Sequence, residues 1–302
     1  MSREIVAGVD GSPESLVAAD WAAREAVRRG LGLRLVYAWR SEPLNVPLDQ
    51  DRARQDRMAE EVLRAAESTV AGRHPGLALT AEVLPDTPVA ALLSTAERAE
   101  MLVIGSRGHG RVVGFLLGSH GQQIIAAATR PVVAVRTRDA AETDGPEGRE
   151  GDGDAGDEGG EIVVGQEGGP EDSAPALGFA FAAAAARGAT LRAVRAWSVP
   201  SLYAYSPASM ALADEAGGLV PYEEKALREA LAPWRERFPE VRVTEQVEIG
   251  SAGQVLLSSS GAARLLVVGR RARRGALGSR IGSVAHAALH LAPCPVAVVP
   301  HE

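Results

Sequence analysis

The chain has 302 residues, 46% of them hydrophobic, which is enough for one large core or two ordinary ones. Its formal net charge is −7, but nine of its 39 acids fall between residues 139 and 160, beside one base, Arg149. The remainder, 30 acids against 31 bases, is nearly neutral and has no concentrated basic patch, which argues against nucleic acid as a partner. A single cysteine, Cys294, can form no internal disulfide and cannot by itself build a cysteine metal site.

Two features predict the compartment. The chain reaches the patterned segment 5–9 almost at once, without the basic start and apolar run of a signal peptide. The longest apolar stretch, 174–186, contains a glycine and is shorter than a membrane span. We therefore expect a cytoplasmic protein with no membrane contact. The acidic, glycine-rich segment 139–160 is typical of a disordered linker, because it cannot bury enough apolar surface to offset its ordering entropy.

In the N-terminal half, short β-branched runs alternate with longer Ala- and Arg-rich stretches, as in βαβ units with a parallel sheet. Ser12 is a candidate N-cap for the first helix, Pro13 suits its first position, and Gly30 is placed to end it. We predict strands near 4–9, 32–38, 79–84, 101–105 and 131–136, and further helices over about 51–72, 88–98 and 119–129.

The C-terminal half repeats this pattern. The run Ile5-Val6-Ala7-Gly8 aligns with Ile162-Val163-Val164-Gly165, and segments 101–135 and 265–299 align without a gap. We predict strands near 161–165, 190–195, 241–248, 265–269 and 295–299, and a long helix around 222–237. The expected fold is two tandem five-stranded parallel-sheet α/β/α sandwiches, Rossmann-like, with domains at 1–138 and 161–302 joined by the linker 139–160.

Ligands in open α/β sheets bind beyond the carboxyl ends of the strands, where the strand order reverses. Two loops in the N-terminal half meet this condition: 9–12 after the first strand, and 105–111 after the fourth, continuing to Gly118-Ser119. Glycines let backbone amides approach a phosphate, and a helix N-terminus adds unpaired N–H groups. The loops predict a phosphate site, with glycines that merely turn the chain as the alternative.

The spacing of Gly105, Gly108 and Gly118-Ser119 is G-x2-G-x9-G-[S/T]. With this motif the chain resembles ATP-binding members of the universal stress protein family, over roughly 1–138 and 161–302. The resemblance implies a fold like that of the adenine nucleotide alpha hydrolases and a role in the stress response. It implies ATP as the ligand, with AMP or a cyclic nucleotide as alternatives and Mg²⁺ as a companion ion.

The resemblance also implies roles for single residues. Asp10 would accept hydrogen bonds from ribose hydroxyls, the alternative being a cap for the loop before the first helix. Ala38 would line the adenine, and Arg107 would either neutralise phosphate charge or remain a solvated surface residue. The full set expected to hold nucleotide is Gly8, Val9, Asp10, Ala38, Gly105, Ser106, Arg107, Gly108, Gly118, Ser119, Gly269, Gly282 and Ser283. His109 and His120 have no second ligand at useful spacing, so we expect no metal site in the protein itself.

The C-terminal half departs from the motif in two places. Glu167 stands where Asp10 stands, and Ala272 replaces the second glycine. A longer acid and an added Cβ both hinder close approach, so we expect weak or absent binding there, although the arginines around 270–274 could compensate.

No Walker A sequence, Gly-x-Ser-x-Gly elbow or His-Glu-x-x-His motif occurs. We expect nucleotide binding without real turnover, at most slow ATP hydrolysis. The alternatives are an enzyme of the same superfamily that hydrolyses or transfers the adenylyl or phosphoryl group, and a structural scaffold with both sites empty. The resemblance further implies that the domains pair through their last strands, 131–136 and 294–299, within one chain, with a homodimer as a further level of assembly.

Overall fold

The computed structural model describes residues 4–39, 49–106, 118–136, 160–198, 218–272 and 280–301. Side chains of the helix that begins at residue 49 are described from residue 56 onward. The chain divides into two compact units. We call them the N-terminal unit, with elements from Glu4 to Arg136, and the C-terminal unit, with elements from Glu161 to His301. The expected linker lies almost wholly outside the described residues, so it and the domain boundaries stay predictions.

The N-terminal unit is a five-stranded parallel sheet in the order β3-β2-β1-β4-β5. Its strands are β1 (Glu4–Gly8), β2 (Gly32–Ala38), β3 (Leu79–Leu84), β4 (Met101–Ser106) and β5 (Val132–Arg136). Its helices are α1 (Pro13–Arg29), α2 (Asp49–Arg73), α3 (Pro88–Ala96) and α4 (Ser119–Ala127). The helices form two pairs, α1 with α2 and α3 with α4, that pack on the sheet. The strand order reverses between β1 and β4, which fixes where a ligand is expected.

Local chemistry explains the start and end of α1. The Ser12 hydroxyl accepts a hydrogen bond from the Ser15 amide, and Pro13 follows it at the first helical position. Gly30 ends the helix in the left-handed region, at φ 62°, where a side chain is disfavoured. The central strands β1 and β4 are apolar runs buried on both faces, as parallel strands under two helix layers must be.

The C-terminal unit repeats the architecture, with strand order β10-β9-β6-β7-β8. Its strands are β6 (Glu161–Gly165), β7 (Thr190–Trp197), β8 (Val243–Ile249), β9 (Ala263–Arg271) and β10 (Val296–His301). Its helices are α5 (Pro170–Arg187), α6 (Val220–Arg237), α7 (Ala252–Ser259) and α8 (Ser283–Leu291). Again α5 packs with α6 and α7 with α8. The predicted pair of Rossmann-like α/β units is confirmed.

One helix pair is held differently in the two units. Counted back from Gly30 and Gly188, the left-handed glycines that end α1 and α5, Asp20 and Gly178 occupy the same position. Asp20 accepts a hydrogen bond from the His74 ring at 3.0 Å, just beyond the end of α2. Gly178 instead leaves room for the Trp234 ring of α6, whose atoms would lie 2.5 Å from a Cβ at that position. The contact between helices is therefore polar in one unit and aromatic in the other.

The ionic contact shifts the titration of Asp20. Burial, the largest single influence, acts to raise the pKa of Asp20. The hydrogen bond with His74 and the positive charges of Arg24, His74 and Arg73 outweigh it, so the pKa of Asp20 lies below its ordinary value of 3.8. The carboxylate form is thus favoured in the folded unit.

Candidate functional site

The N-terminal unit has a cavity of about 470 Å³ at the carboxyl ends of β1 and β4, where the strand order reverses. Its volume lies within the range of about 300–1,000 Å³ that is usual for ligand pockets. The lining combines backbone-exposing glycines, hydroxyls, two acids and an apolar wall: Gly8, Val9, Asp10, Ser12, Glu14, Ser15, Val36, Tyr37, Ala38, Pro88, Leu92, Ile104, Gly105, Gly118, Ser119, His120, Gly121 and Ile124. Seven of the residues expected to hold nucleotide line this one cavity: Gly8, Val9, Asp10, Ala38, Gly105, Gly118 and Ser119.

Asp10 lies exposed in the loop after β1 and lines the cavity. One carboxylate oxygen accepts a hydrogen bond from the Ser12 amide at 2.9 Å and another from the Ser12 hydroxyl. The next residue, Gly11, has φ 80°, and a Cβ there would lie 3.0 Å from the Val62 side chain of α2. Asp10 therefore does hold the loop before α1, as its alternative interpretation expected, and this contact fixes the carboxylate at the cavity.

The phosphate-binding end expected from the motif is the start of α4. Gly118 is the N-cap of this helix, and Ser119, His120 and Gly121 form its first turn beside the cavity. Glycine offers no side chain to cap the helix, and none of the described side chains caps the first N–H groups of α4, which suit an external acceptor. Among the described residues, no atom lies within 4 Å of a Cβ at Gly118. Arg107 and Gly108 lie outside the described residues.

Gly105 has a different reason to be glycine. A Cβ there would come within 2.7 Å of the Glu14 carbonyl group and 2.8 Å of the Ser15 amide nitrogen, both in the α1 backbone. The close packing of α1 on β4 thus excludes any side chain at 105. Ser106 was expected to help bind nucleotide, but its buried hydroxyl donates to the Val135 carbonyl at 3.3 Å and does not face the cavity.

Ala38 was expected to offer an apolar wall to adenine, but the part of the wall that α3 and α4 contribute was not foreseen. Leu92 of α3 lies directly over Gly8, where a Cβ would meet its methyl group at 3.0 Å. Pro88 from the same helix and Ile124 from α4 complete this side. The starts of α3 and α4 follow β3 and the loop after β4, so their position at the carboxyl edge of the sheet could have indicated such a wall. A flat base needs apolar surface of this kind.

The C-terminal unit has a smaller cavity, of about 200 Å³, at the matching place. It is lined by Gly269, as expected, and by Gln166, Glu167 and His301. The His301 ring covers Gly269, where a Cβ would lie 3.1 Å from it. Gly282 and Ser283, the other two residues expected to bind here, form the exposed start of α8; neither lines this cavity, although the next residue, Val284, does.

Ala272 shows a second difference from the motif. Its amide donates to the His301 carbonyl at 2.6 Å, continuing the pairing of β9 with β10. An amide used within the sheet cannot also donate to a phosphate, so the replacement of glycine coincides with the loss of a donor.

Within the described residues, no helix has the length and apolar character needed to cross a membrane. Over the same part of the chain, no three His, Cys, Asp or Glu side chains come together in a way that could hold a metal ion.

Comparison with known proteins agrees with this architecture. The model of the universal stress protein family matches residues 1–136 and again 160–300. A universal stress protein of Mycobacterium tuberculosis is 33% identical, over 97% of this chain and 96% of its own length. One from Mycolicibacterium smegmatis is 30% identical, over 98% and 96%. The crystal structure of a universal stress protein from Archaeoglobus fulgidus, 16% identical, covers both chains fully with a TM-score of 0.70, which supports the fold.

Proposed function

Because the chain belongs to the universal stress protein family, with two tandem copies of the family's domain, we propose that it is a stress-response protein that binds an adenine nucleotide, ATP, in its N-terminal unit. The observation that carries the proposal is the 470 Å³ cavity at the switch point of the sheet. Residues distant in sequence, from Gly8 to Ser119, converge on it, and Gly105, Gly118 and Ser119 among them belong to the glycine motif.

The lining suits the three parts of a nucleotide separately. The Asp10 carboxylate accepts hydrogen bonds from the ribose hydroxyls, as an acid near a ribose commonly does. Ala38, Leu92 and Ile124 offer apolar surface to adenine. The open N–H groups after Gly118 and the positive end of the α4 dipole receive the phosphates. Mg²⁺ enters this proposal bound to the phosphates of ATP.

Gly118→Ala is the sharpest test, since the added Cβ meets no atom of the described residues within 4 Å. We expect the variant to fold normally, with its methyl group over the α4 N-terminus. Calorimetric titration with ATP and Mg²⁺ is expected to show affinity reduced at least tenfold, or about 1.4 kcal/mol. Gly282→Ala is the matched control, because Gly282 is the N-cap of α8 and also has nothing within 4 Å of an added Cβ.

Gly282→Ala should leave ATP binding unchanged. Equal affinity of both variants and the wild type would refute the placement of the phosphates. Acid extraction of freshly purified protein, followed by chromatography, identifies the nucleotide that it carries. If the protein hydrolysed ATP over many turnovers and this hydrolysis required Asp10, ATP hydrolysis would replace nucleotide binding as the proposed function.

A further inference from the structure

The two units carry different side chains at two matching positions at the carboxyl edge of the sheet; of the two in the C-terminal unit, Gln166 lines the cavity and Arg195 contacts Gln166. Gly8 pairs with Val36 in the N-terminal unit, and Gly165 pairs with Val194 in the C-terminal unit. Tyr37 and Arg195, which follow these two valines, therefore occupy equivalent positions. Val9 and Gln166, which follow the two glycines, are also equivalent, since each donates its backbone amide to the valine carbonyl of its own unit at 2.9 Å.

In the C-terminal unit these two residues join in one network. The Arg195 guanidinium forms a salt bridge of 2.5 Å with Glu223 of α6, and both side chains are mostly buried, at 14% and 17% exposure. It also donates to the Gln166 side-chain oxygen and, at 3.0 Å, to the Gly168 carbonyl. The network thus links β7, α6 and the loop after β6.

Gln166 connects the loop after β6 to α5. The residue is only 4% exposed. Its side-chain nitrogen donates to the Gly168 carbonyl at 3.1 Å and to the Ser173 hydroxyl at 3.3 Å. These hydrogen bonds hold the loop that carries Glu167 against the first turn of α5. The side-chain oxygen and nitrogen of Gln166 are both satisfied by the protein itself, and the cavity beside it is about 200 Å³.

We infer that Gln166 and Arg195 are specificity-determining residues that close the C-terminal pocket to nucleotide. This inference depends on the proposed function of the N-terminal unit. The Arg195 guanidinium does not make up for the altered glycine motif by binding phosphate, because its positive charge is already balanced by the Glu223 carboxylate. A phosphate that took the Arg195 guanidinium as its partner would have to break this mostly buried pair and leave Glu223 uncompensated.

The double variant Gln166→Val with Arg195→Tyr installs the residues of the N-terminal pocket. Equilibrium dialysis against ATP and Mg²⁺, up to about 1 mM ATP, counts the nucleotides bound per chain. The wild type is expected to bind one ATP and the double variant two. Adding Asp10→Asn to the double variant should weaken the first site about 30-fold and leave the affinity of the second unchanged. That result would place the new ATP in the C-terminal unit.

Each result decides a separate question. Two nucleotides on the wild type, or one on a folded double variant, would overturn the closure by Gln166 and Arg195. No nucleotide on the wild type would overturn the proposed function instead. Hydrogen exchange of the α5 and α6 peptides shows whether the double variant is folded. Should it unfold, Gln166→Ala with Arg195→Ala, which only removes atoms, must bind the second ATP for the inference to stand.

Discussion

The two units share a topology and differ at the carboxyl edge of their sheets. The N-terminal unit keeps a cavity of about 470 Å³, whereas the C-terminal unit keeps about 200 Å³ beside its network of Gln166 and Arg195. Both cavities lie near a helix that begins at a glycine N-cap without a side-chain cap. The strands are paired in the same register, so the backbone alone does not decide which unit has room for a ligand. Under our inference, the side chains of Gln166 and Arg195 decide it. A duplicated fold would then keep its core and lose its site.

The largest expected effect concerns two equivalent glycines near the end of the fourth strand of each unit, Gly105 in β4 and Gly269 in β9. Gly105→Ala forces a Cβ into the α1 backbone and should destabilise the N-terminal unit by about 3 kcal/mol. Gly269→Ala meets only the His301 ring, which can turn aside, so the expected cost is below about 1 kcal/mol. Hydrogen exchange measured separately on peptides of each unit checks this difference. Equal costs would mean that α1 does not pack so closely on β4.

The second effect compares Asp10, the acid of the ribose position, with Glu167, the acid at the matching position of the C-terminal unit. Asp10→Asn keeps a side-chain oxygen for the Ser12 amide but puts an amide group where the second carboxylate oxygen was. The affinity for ATP should fall about 30-fold, or about 2 kcal/mol, because a hydrogen bond to a charged group is lost. Glu167→Gln should leave ATP binding unchanged. Calorimetry on both variants tests the contrast, which fails if the two substitutions weaken binding equally.

The smallest effect concerns the polar contact of Asp20 with His74 in the N-terminal unit, compared with the aromatic contact of Trp234 over Gly178 in the C-terminal unit. Asp20→Asn should lower the free energy of unfolding of the N-terminal unit by about 1.5 kcal/mol at pH 7. The native pKa of Asp20 lies below that of the unfolded chain, so its contribution is complete above about pH 4 and disappears as the pH falls through the native value. The difference between variant and wild type should therefore shrink in acid.

The matching position in the C-terminal unit is Gly178 under the Trp234 ring, so this unit should lack that acid dependence. Exchange rates of α1 and α5 peptides between pH 7 and about pH 3 test both statements, after correction for the intrinsic pH dependence of exchange. A constant difference between wild type and Asp20→Asn over this range would contradict the role given to His74 and the arginines.

Much of the fold could be predicted because its signals are local. Strands β2, β3 and β6 have the predicted bounds. In β6 the apolar run Ile162-Val163-Val164 marks a buried parallel strand. Strand β9 extends two residues beyond each predicted end, to Ala263 and Arg271, because pairing with its neighbours continues past the apolar run. Gly105 and Gly118 of the cavity were found because a motif with fixed spacing names them.

The features that the sequence did not reveal depend on contacts between distant residues. Arg195 meets Gln166 across 29 positions, and neither residue type signals a closed pocket by itself. The need for glycine at 105 comes from the α1 backbone, which no spacing rule contains. Long-range side-chain geometry, not secondary structure, limited the prediction of the site.

A crystal structure of the full chain grown with ATP and Mg²⁺ tests the central claim most directly. We predict one nucleotide per chain, with its ribose on Asp10 and its phosphates at the amides after Gly118, and an unliganded C-terminal pocket with the Arg195–Glu223 pair intact. A nucleotide seated beside Gly269, or an N-terminal cavity without one at saturating ATP, would contradict it.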